Sequence, residues 1–380
     1  MSPVYLDYNA TAPVRAEAIE AMGRAIQAGG NPSSVHAAGR VARALVEDAR
    51  GAVAALVGAP ASTVVFVSGG TEANALAIGS ARAAGSRRLI VSAIEHDSVL
   101  ETARQSGAEV EVLPVDRDGL ADLGWLENRL SRWDTAWGRP FVALMLANNE
   151  TGAIQPVGRA AEMVRAADGW LHVDAIQAAG KIGVDSRALG ADTLSVSGHK
   201  LGGPQGVGAL TFGPRASLVR RQHGGGQERG RRAGTENVPG IAGFGAAARA
   251  AMSNLAALQA QAVWRDAAAE QLAQAGAVIV SGGVERLPNT LCFARPGFAA
   301  ELQVMGLDLT GVMVSSGAAC SSGKVKPSHV LLAMGLAELA GCAVRVSGGW
   351  ATKGSDWNRL VEAWIELNGR HAARRRAPAA

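Results

Sequence analysis

Between residues 60 and 215, seven short runs rich in β-branched residues, at 63–67, 88–92, 109–113, 141–146, 170–173, 193–196 and 207–212, alternate with segments of helical spacing. That rhythm commits the chain to an α/β fold with a mainly parallel sheet and helices on both faces. Two helices are expected before it, over 14–27 and 36–57, parted by the breaker Gly29-Gly30-Asn31-Pro32-Ser33-Ser34. After the sheet, 222–237 holds too much glycine and charge to be regular. A single long helix is expected over 239–275, with Pro239 tolerated in its first turn. The remainder reads as a smaller α+β domain, with strands near 277–280, 290–293, 312–314 and 343–347 and a last helix from about 354.

A chain of 380 residues is long for one domain. The expected division is a large domain over 14–255, a small domain from 1–13 with 256–369, and a disordered basic tail over 370–380. The formal charge is +4, and Arg370, Arg374, Arg375 and Arg376 stand in that acid-free tail. Without them the body is neutral, so no nucleic-acid partner is expected. The three cysteines, Cys292, Cys320 and Cys342, lack the spacing of a disulfide framework or a zinc site. A reducing compartment and no bound metal follow. The start, MSPVYLDYNAT, has no basic and apolar leader, and no apolar run approaches the ~20 residues that span a bilayer. A cytoplasmic protein without a membrane partner is expected.

Several strand ends carry chemistry. Ser195-Val-Ser197-Gly-His199-Lys200 runs from a strand into a Gly-Gly-Pro turn, and Lys200 is one of only five lysines. An amine that can lose its proton suits covalent capture of an aldehyde. Trp170-Leu-His172-Val-Asp174-Ala-Ile-Gln177 places Asp174 at the edge where open α/β sheets bind ligands. Asp174 either caps a helix or holds the ring nitrogen of pyridoxal 5′-phosphate, with Gln177 donating to the phenolic oxygen. Ser68-Gly69-Gly70-Thr71 opens a helix whose amide groups suit a phosphate, and it matches neither the dinucleotide nor the Walker pattern. His96 is placed to stack on a cofactor and shuttle protons, and Asn149 to orient cofactor or substrate. Cys320 lies in Ser315-Ser-Gly-Ala-Ala-Cys-Ser-Ser-Gly323, where no bulky neighbour fixes it, as an accessible nucleophile.

Together these segments resemble the pyridoxal-phosphate-dependent cysteine desulfurases of the iron–sulfur assembly and nitrogenase-maturation type, in the class V aminotransferase group of fold type I. The motifs that carry the likeness are Tyr5-Leu-Asp-Tyr-Asn-Ala-Thr11, Asn31-Pro-Ser-Ser-Val-His36, Ser197-Gly-His-Lys200, Gly224-Gly-Gly-Gln-Glu-Arg-Gly-Arg-Arg-Ala-Gly-Thr-Glu-Asn237 and the Cys320 loop. The resemblance implies that Lys200 carries the cofactor, Asp174 and Gln177 hold its ring, and His96 stacks on it. Gly70, Thr71, Ser197 and His199 match the phosphate ligands. Thr235 matches a residue that reaches the phosphate of a neighbouring subunit in a homodimer. Arg345, with Asn149 and Asn31, matches the substrate-carboxylate site. L-cysteine would become alanine, its sulfur passing to Cys320 and on to an iron–sulfur scaffold or another acceptor. A selenocysteine lyase, another class V enzyme and a non-catalytic scaffold relative are the competing expectations.

Overall fold

The computed structural model describes residues 3–317 and 326–376. The chain opens in β1 (Val4–Tyr5), passes through α1 (Ala16–Ala28) and α2 (Ala37–Leu56), and enters the large sheet at β2 (Val64–Val67). There follow α3 (Gly70–Ala83), β3 (Arg88–Ser92), α4 (Asp97–Gln105), β4 (Glu109–Leu113), α5 (Leu123–Ser131), β5 (Phe141–Ala143), α6 (Val157–Ala166), β6 (Trp170–Asp174), β7 (Thr193–Ser197) and β8 (Gly208–Phe212). The seven strands lie in the order β2-β8-β7-β6-β5-β3-β4. From β7 to β4 every pair is parallel, and β8 is antiparallel to both its neighbours. Two reversals restore the direction, so β2 ends at the same edge as the parallel strands. The α/β class and the expected strands are all present. The strand expected over 141–146 ends at Ala143 because the Met145 amide turns to the Glu95 carboxylate, Oε1 at 2.5 Å.

Helices α1 and α2 pack against α7 (Val238–Ser253), largely through alanine and glycine. A Cβ at Gly245 would lie 2.6 Å from Ala49 Cα, so the approach of α7 to α2 requires glycine there. The single helix expected over 239–275 is broken into α7, α8 (Leu255–Gln259) and α9 (Gln261–Gln274), with a 64° turn after α7. Asn254 occupies the break, where its side-chain oxygen accepts from Arg15 Nη1 at 3.1 Å. Among the described residues, no single helix is long and apolar enough to cross a membrane.

A second core forms where β9 (Val278–Val280), β10 (Thr290–Ala294), β12 (Ser315–Ser316) and β13 (Ala343–Ser347) make an antiparallel sheet in the order β12-β13-β10-β9. β1 pairs in parallel with β11 (Val312–Met313), and Asp7 bridges to Ser347, so the amino-terminal segment belongs to this body. Helices α9, α10 (Ala300–Leu309) and α12 (Gly354–Arg376) cover the sheet, and the short α11 (His329–Ala333) precedes β13. Phe293 meets Trp364 edge-on at 5.3 Å, and the buried Trp364 indole donates to Gln303 Oε1 at 2.8 Å. Helix α12 runs on to Arg376, which corrects the expectation of disorder from residue 370. The His371 ring stacks on Phe298 and anchors that last stretch.

The glycine-rich segment 222–237 is irregular, as expected, and is pinned at one point. Glu228 and Arg229 have φ of 47° and 57°, a region that costs a side chain ~1–3 kcal/mol. The Glu228 carboxylate holds it there by accepting from Arg50 Nη1 and Nη2 at 2.7 and 2.9 Å and from the Phe66 amide at 2.9 Å. The Glu228 and Arg50 side chains are 2% and 5% exposed, so removing the carboxylate leaves a buried cation with only the half-exposed Glu47 at 3.1 Å as a carboxylate partner among the described residues. Glu228→Ala is expected to cost about 3–5 kcal/mol, read as a lower urea midpoint. Arg50→Met combined with Glu228→Leu should recover part of that loss, and a midpoint unchanged in Glu228→Ala would contradict the assignment.

Candidate active site

Because β2, β3, β5, β6 and β7 all end at one edge, the segments that leave them converge there. They enclose a cavity of about 280 Å³ lined by Gly70, Thr71, His96, Asn149, Asp174, Gln177, Ser197, His199 and Lys200, with Ser98, Met145 and Ile176. Nine of the residues expected from sequence thus meet in one space. A Cβ on Gly70 would lie 2.1 Å from Ile176 Cδ1, so a larger residue there would push the Ile176 side chain into the cavity wall.

Lys200 ends the turn after β7, and its amine donates to the main-chain oxygens of Asn9 and Ala10 at 2.6 and 2.8 Å. Burial pushes its pKa down to about 8, helped by the Arg345 charge and opposed by Asp7 and Asp174. Near neutral pH an appreciable fraction of the amine is therefore unprotonated. His199 is pushed down to about 4 by burial and by the Lys200 and Lys181 charges, so it faces the cavity as a neutral ring. With the amides at the start of α3, the Thr71 hydroxyl and the Ser197 hydroxyl, it supplies hydrogen-bond donors for an anion.

Asp174 is buried, and burial raises its pKa. Its Oδ1 accepts from the Ile176 amide and its Oδ2 from Asn74 Nδ2, both at 2.9 Å. A turn, not a helix, follows Asp174, so in place of the expected helix cap its local role is the turn bond to the Ile176 amide. Behind it runs a relay absent from the sequence reading. Asn74 Oδ1 contacts His172 Nε2, and His172 Nδ1 contacts Thr193 Oγ1, each at 3.0 Å. Burial pushes His172 down to about 3, so the relay is uncharged and fixes Asp174 without neutralising it. Alternation could have flagged His172, a polar residue inside an apolar strand. Asn74 lies within a helix, and nothing local marks it.

His96 caps α4, its Nδ1 accepting from the Ser98 amide at 3.0 Å while the ring lines the cavity. Asn149 also lines it, and its Oδ1 is buried with no partner, so an amide oxygen waits for a donor. Arg345 is buried but not free. Its Nη2 pairs with Asp7 Oδ1 at 2.8 Å, Nη1 reaches the Asn149 main-chain oxygen at 3.4 Å, and Nε has no partner.

Two expected residues are not brought in by this chain. Asn31 is exposed and its side chain accepts from the Ser33 amide, forming a turn rather than a wall of the cavity. Thr235 lines a separate hollow beside Glu228 and Arg232. Cys320 lies outside the described residues. A larger hollow of about 740 Å³ adjoins the cavity, sharing His96 and Asn149, and is lined also by Gly317, Lys326 and His329, which flank the Cys320 segment. Cys292 is fully buried in β10 and burial pushes its thiol well up, so it packs as a structural residue.

The donor set fits pyridoxal 5′-phosphate. A buried carboxylate without an ion-pair partner among the described residues stands opposite a depressed lysine, an anion cradle opens a helix, and the Asn149 oxygen is unsatisfied.

Comparisons with known proteins point the same way. The family model for class-V aminotransferases matches residues 4–360. A cysteine desulfurase of Cereibacter sphaeroides is 43% identical over 374 residues, which cover 95% of each chain. Cysteine desulfurase IscS of Dictyoglomus turgidum is 39% identical over 370 residues, 94% of this chain and 93% of the other. The structure of a NifS-like protein from Rickettsia africae superposes with a TM-score of 0.88 at 32% identity, covering 97% of this chain and 99% of that one.

The depressed lysine yields a pH prediction. An amine captures an aldehyde only when unprotonated, so coenzyme uptake by the apo-protein should rise with pH and level off above about 8, well below the ~10.4 of a free lysine. Asp7 raises the Lys200 pKa, so Asp7→Asn should move the midpoint lower still. Stopped-flow absorbance against pH measures both, and a midpoint near 10 would show that Lys200 is not desolvated.

Proposed function

The chain belongs to the class-V aminotransferase family, and from that membership and the site's geometry we propose that it is a cysteine desulfurase that binds pyridoxal 5′-phosphate at Lys200 and transfers cysteine sulfur to Cys320. The observation that carries the reading is the pairing of a buried lysine of lowered pKa with a buried, unneutralised Asp174 across one cavity. When bound, pyridoxal 5′-phosphate supplies an electron sink for the Cα of an amino acid.

The protein's own groups divide the work. Lys200 anchors the coenzyme and, once free, takes the Cα proton, for which a pKa of about 8 is well matched to neutral solution. Asp174 keeps a proton on the ring nitrogen, and Gln177 donates to the phenolic oxygen. His96 covers the ring and moves protons at the reacting carbons. Gly70, Thr71, Ser197 and His199 hold the phosphate by hydrogen bonds, since His199 is neutral. Arg345 binds the substrate carboxylate, and Asn149 supplies its unsatisfied oxygen to the same region. The Cys320 thiolate then attacks the substrate sulfur. An S–S bond forms, the C–S bond breaks with its electron pair left on Cβ, and protonation of Cβ followed by return of the proton to Cα gives alanine. The Cys320 persulfide passes its outer sulfur to an iron–sulfur scaffold or another acceptor, in a cytoplasmic setting.

A homodimer completes the reading. Thr235 stands outside its own chain's cavity, which suits a role toward a partner's phosphate, and Ile19, Ile26 and Val35 on and beside α1 are 60%, 64% and 88% exposed. A face of that kind suits a second copy of the chain. Light scattering should give twice the chain mass.

Two variants test the chemistry. Cys320→Ala should bind coenzyme normally and form no persulfide from L-cysteine, read by alkylation and mass spectrometry. Lys200→Ala should retain no coenzyme after borohydride treatment and denaturation. Persulfide formed by Cys320→Ala at the parent rate would overturn the assignment, as would a parent protein that takes up no coenzyme.

A further inference from the structure

One fully buried, ionisable side chain beside the cavity has no part in the mechanism above. Lys181 follows the turn after β6, and its amine donates to Asn9 Oδ1 at 2.6 Å and to Gln177 Oε1 at 2.7 Å. Burying a lysine is costly, and the residue is not paired with a carboxylate among the described residues. Its surroundings reward it only through these two oxygens. Lys200, Arg345 and His199 are the charged or titratable groups whose fields it shares, and Tyr8 and Arg15 line the same small gap. Burial first, then Lys200 and Arg345, press its pKa well down.

The two contacts fix an amide that could otherwise turn over. Gln177 meets a donor on one side, the Lys181 amine, and an acceptor on the other, the Asn9 carbonyl, to which Gln177 Nε2 donates at 3.0 Å. Turning the amide by 180° would place its nitrogen against the amine and its oxygen 3.0 Å from a carbonyl. Only one orientation satisfies both neighbours. Asn9 is held in the same way, giving Oδ1 to Lys181 and Nδ2 to Thr290 Oγ1 at 3.0 Å. Its carbonyl also receives the Lys200 amine.

We propose that Lys181 is a positioning residue that holds the Gln177 amide oxygen on its own amine, leaving only the amide nitrogen to act, as a donor, on the coenzyme's phenolic oxygen. The proposal rests on the reading of the cavity as a pyridoxal 5′-phosphate site. A donor at the phenolic oxygen stabilises negative charge there and lowers the proton affinity of the bound coenzyme. Releasing the amide should raise it.

The test is a pH titration of the visible absorbance of the purified, coenzyme-loaded protein. Lys181→Met is expected to load coenzyme and shift the midpoint upward by about half a pH unit or more, roughly a threefold rise in proton affinity. Gln177→Met should shift it similarly, and the double variant should move no further than Gln177→Met alone, because one acts through the other. Should Lys181→Met not fold, Lys181→Gln, which keeps a shorter donor, carries the test with a smaller upward shift. An unmoved midpoint in the folded Lys181 variant, or shifts that add in the double variant, overturns the proposal while leaving the coenzyme assignment standing. A parent protein without a visible band overturns the coenzyme assignment and this inference with it.

Discussion

The Lys200 amine spends its hydrogens on the main-chain oxygens of Asn9 and Ala10, and much of the site's construction follows from that contact. Neutral carbonyls satisfy the amine without an ion pair, and desolvation depresses its pKa although Asp7 and Asp174 oppose the fall. The contact also fixes where the amino-terminal segment must lie. Residues 4–7 belong by pairing to the sheet of the second core, yet Asn9 and Ala10 close over the edge of the large one. The two cores are thereby held together at the residue proposed to carry the chemistry.

How much of this was legible in the sequence depended on whether the cause was local. The strands of the large sheet and the residues at their ends could be read, because β-branched runs and edge position are written in consecutive residues. The break at Asn254 could not, since what favours it is Arg15, more than two hundred positions away. The stop at Ala143 has the same origin, in the Glu95 carboxylate from another strand's exit. Within the site, Lys200, Asp174 and Gln177 stood out through residue type and motif. Asn9, Asn74, His172 and Lys181, which orient them, did not, because their significance lies in contacts across 98, 100, 168, 172 and 191 positions of chain. Motifs carry the groups that react, and topology brings up the groups that hold them still.

Asp174 and Gln177 are each buried and held by two or more hydrogen bonds, a preorganised shell of the kind catalysis exploits. The Glu150 carboxyl lies beside both Ser328 and Gly317. Glu150 accepts from Ser328 Oγ at 2.5 Å on one side, and on the other a Cβ at Gly317 would come within 2.3 Å of its Oε2. Burial raises the Glu150 pKa, and Arg345 and His329 oppose that rise, so this carboxyl is tied to the same charges that face the cavity.

Arg345 shows how selectivity can arise from a group that is already satisfied. Its pairing with Asp7, itself held by Ser315 Oγ at 2.7 Å, leaves Nε buried and unpartnered. A guanidinium in that state has one strong donor to offer and a carboxylate to share, so an incoming α-carboxylate gains a charge-assisted bond while bearing the repulsion of Asp7. The balance favours a ligand that brings other contacts with it, such as a covalent hold at Lys200, over a free carboxylate. Small acids would then occupy the site poorly although it contains a buried arginine. On the proposed reading of Arg345, its pair with Asp7 makes recognition of the substrate's carboxylate depend on capture of the substrate at Lys200.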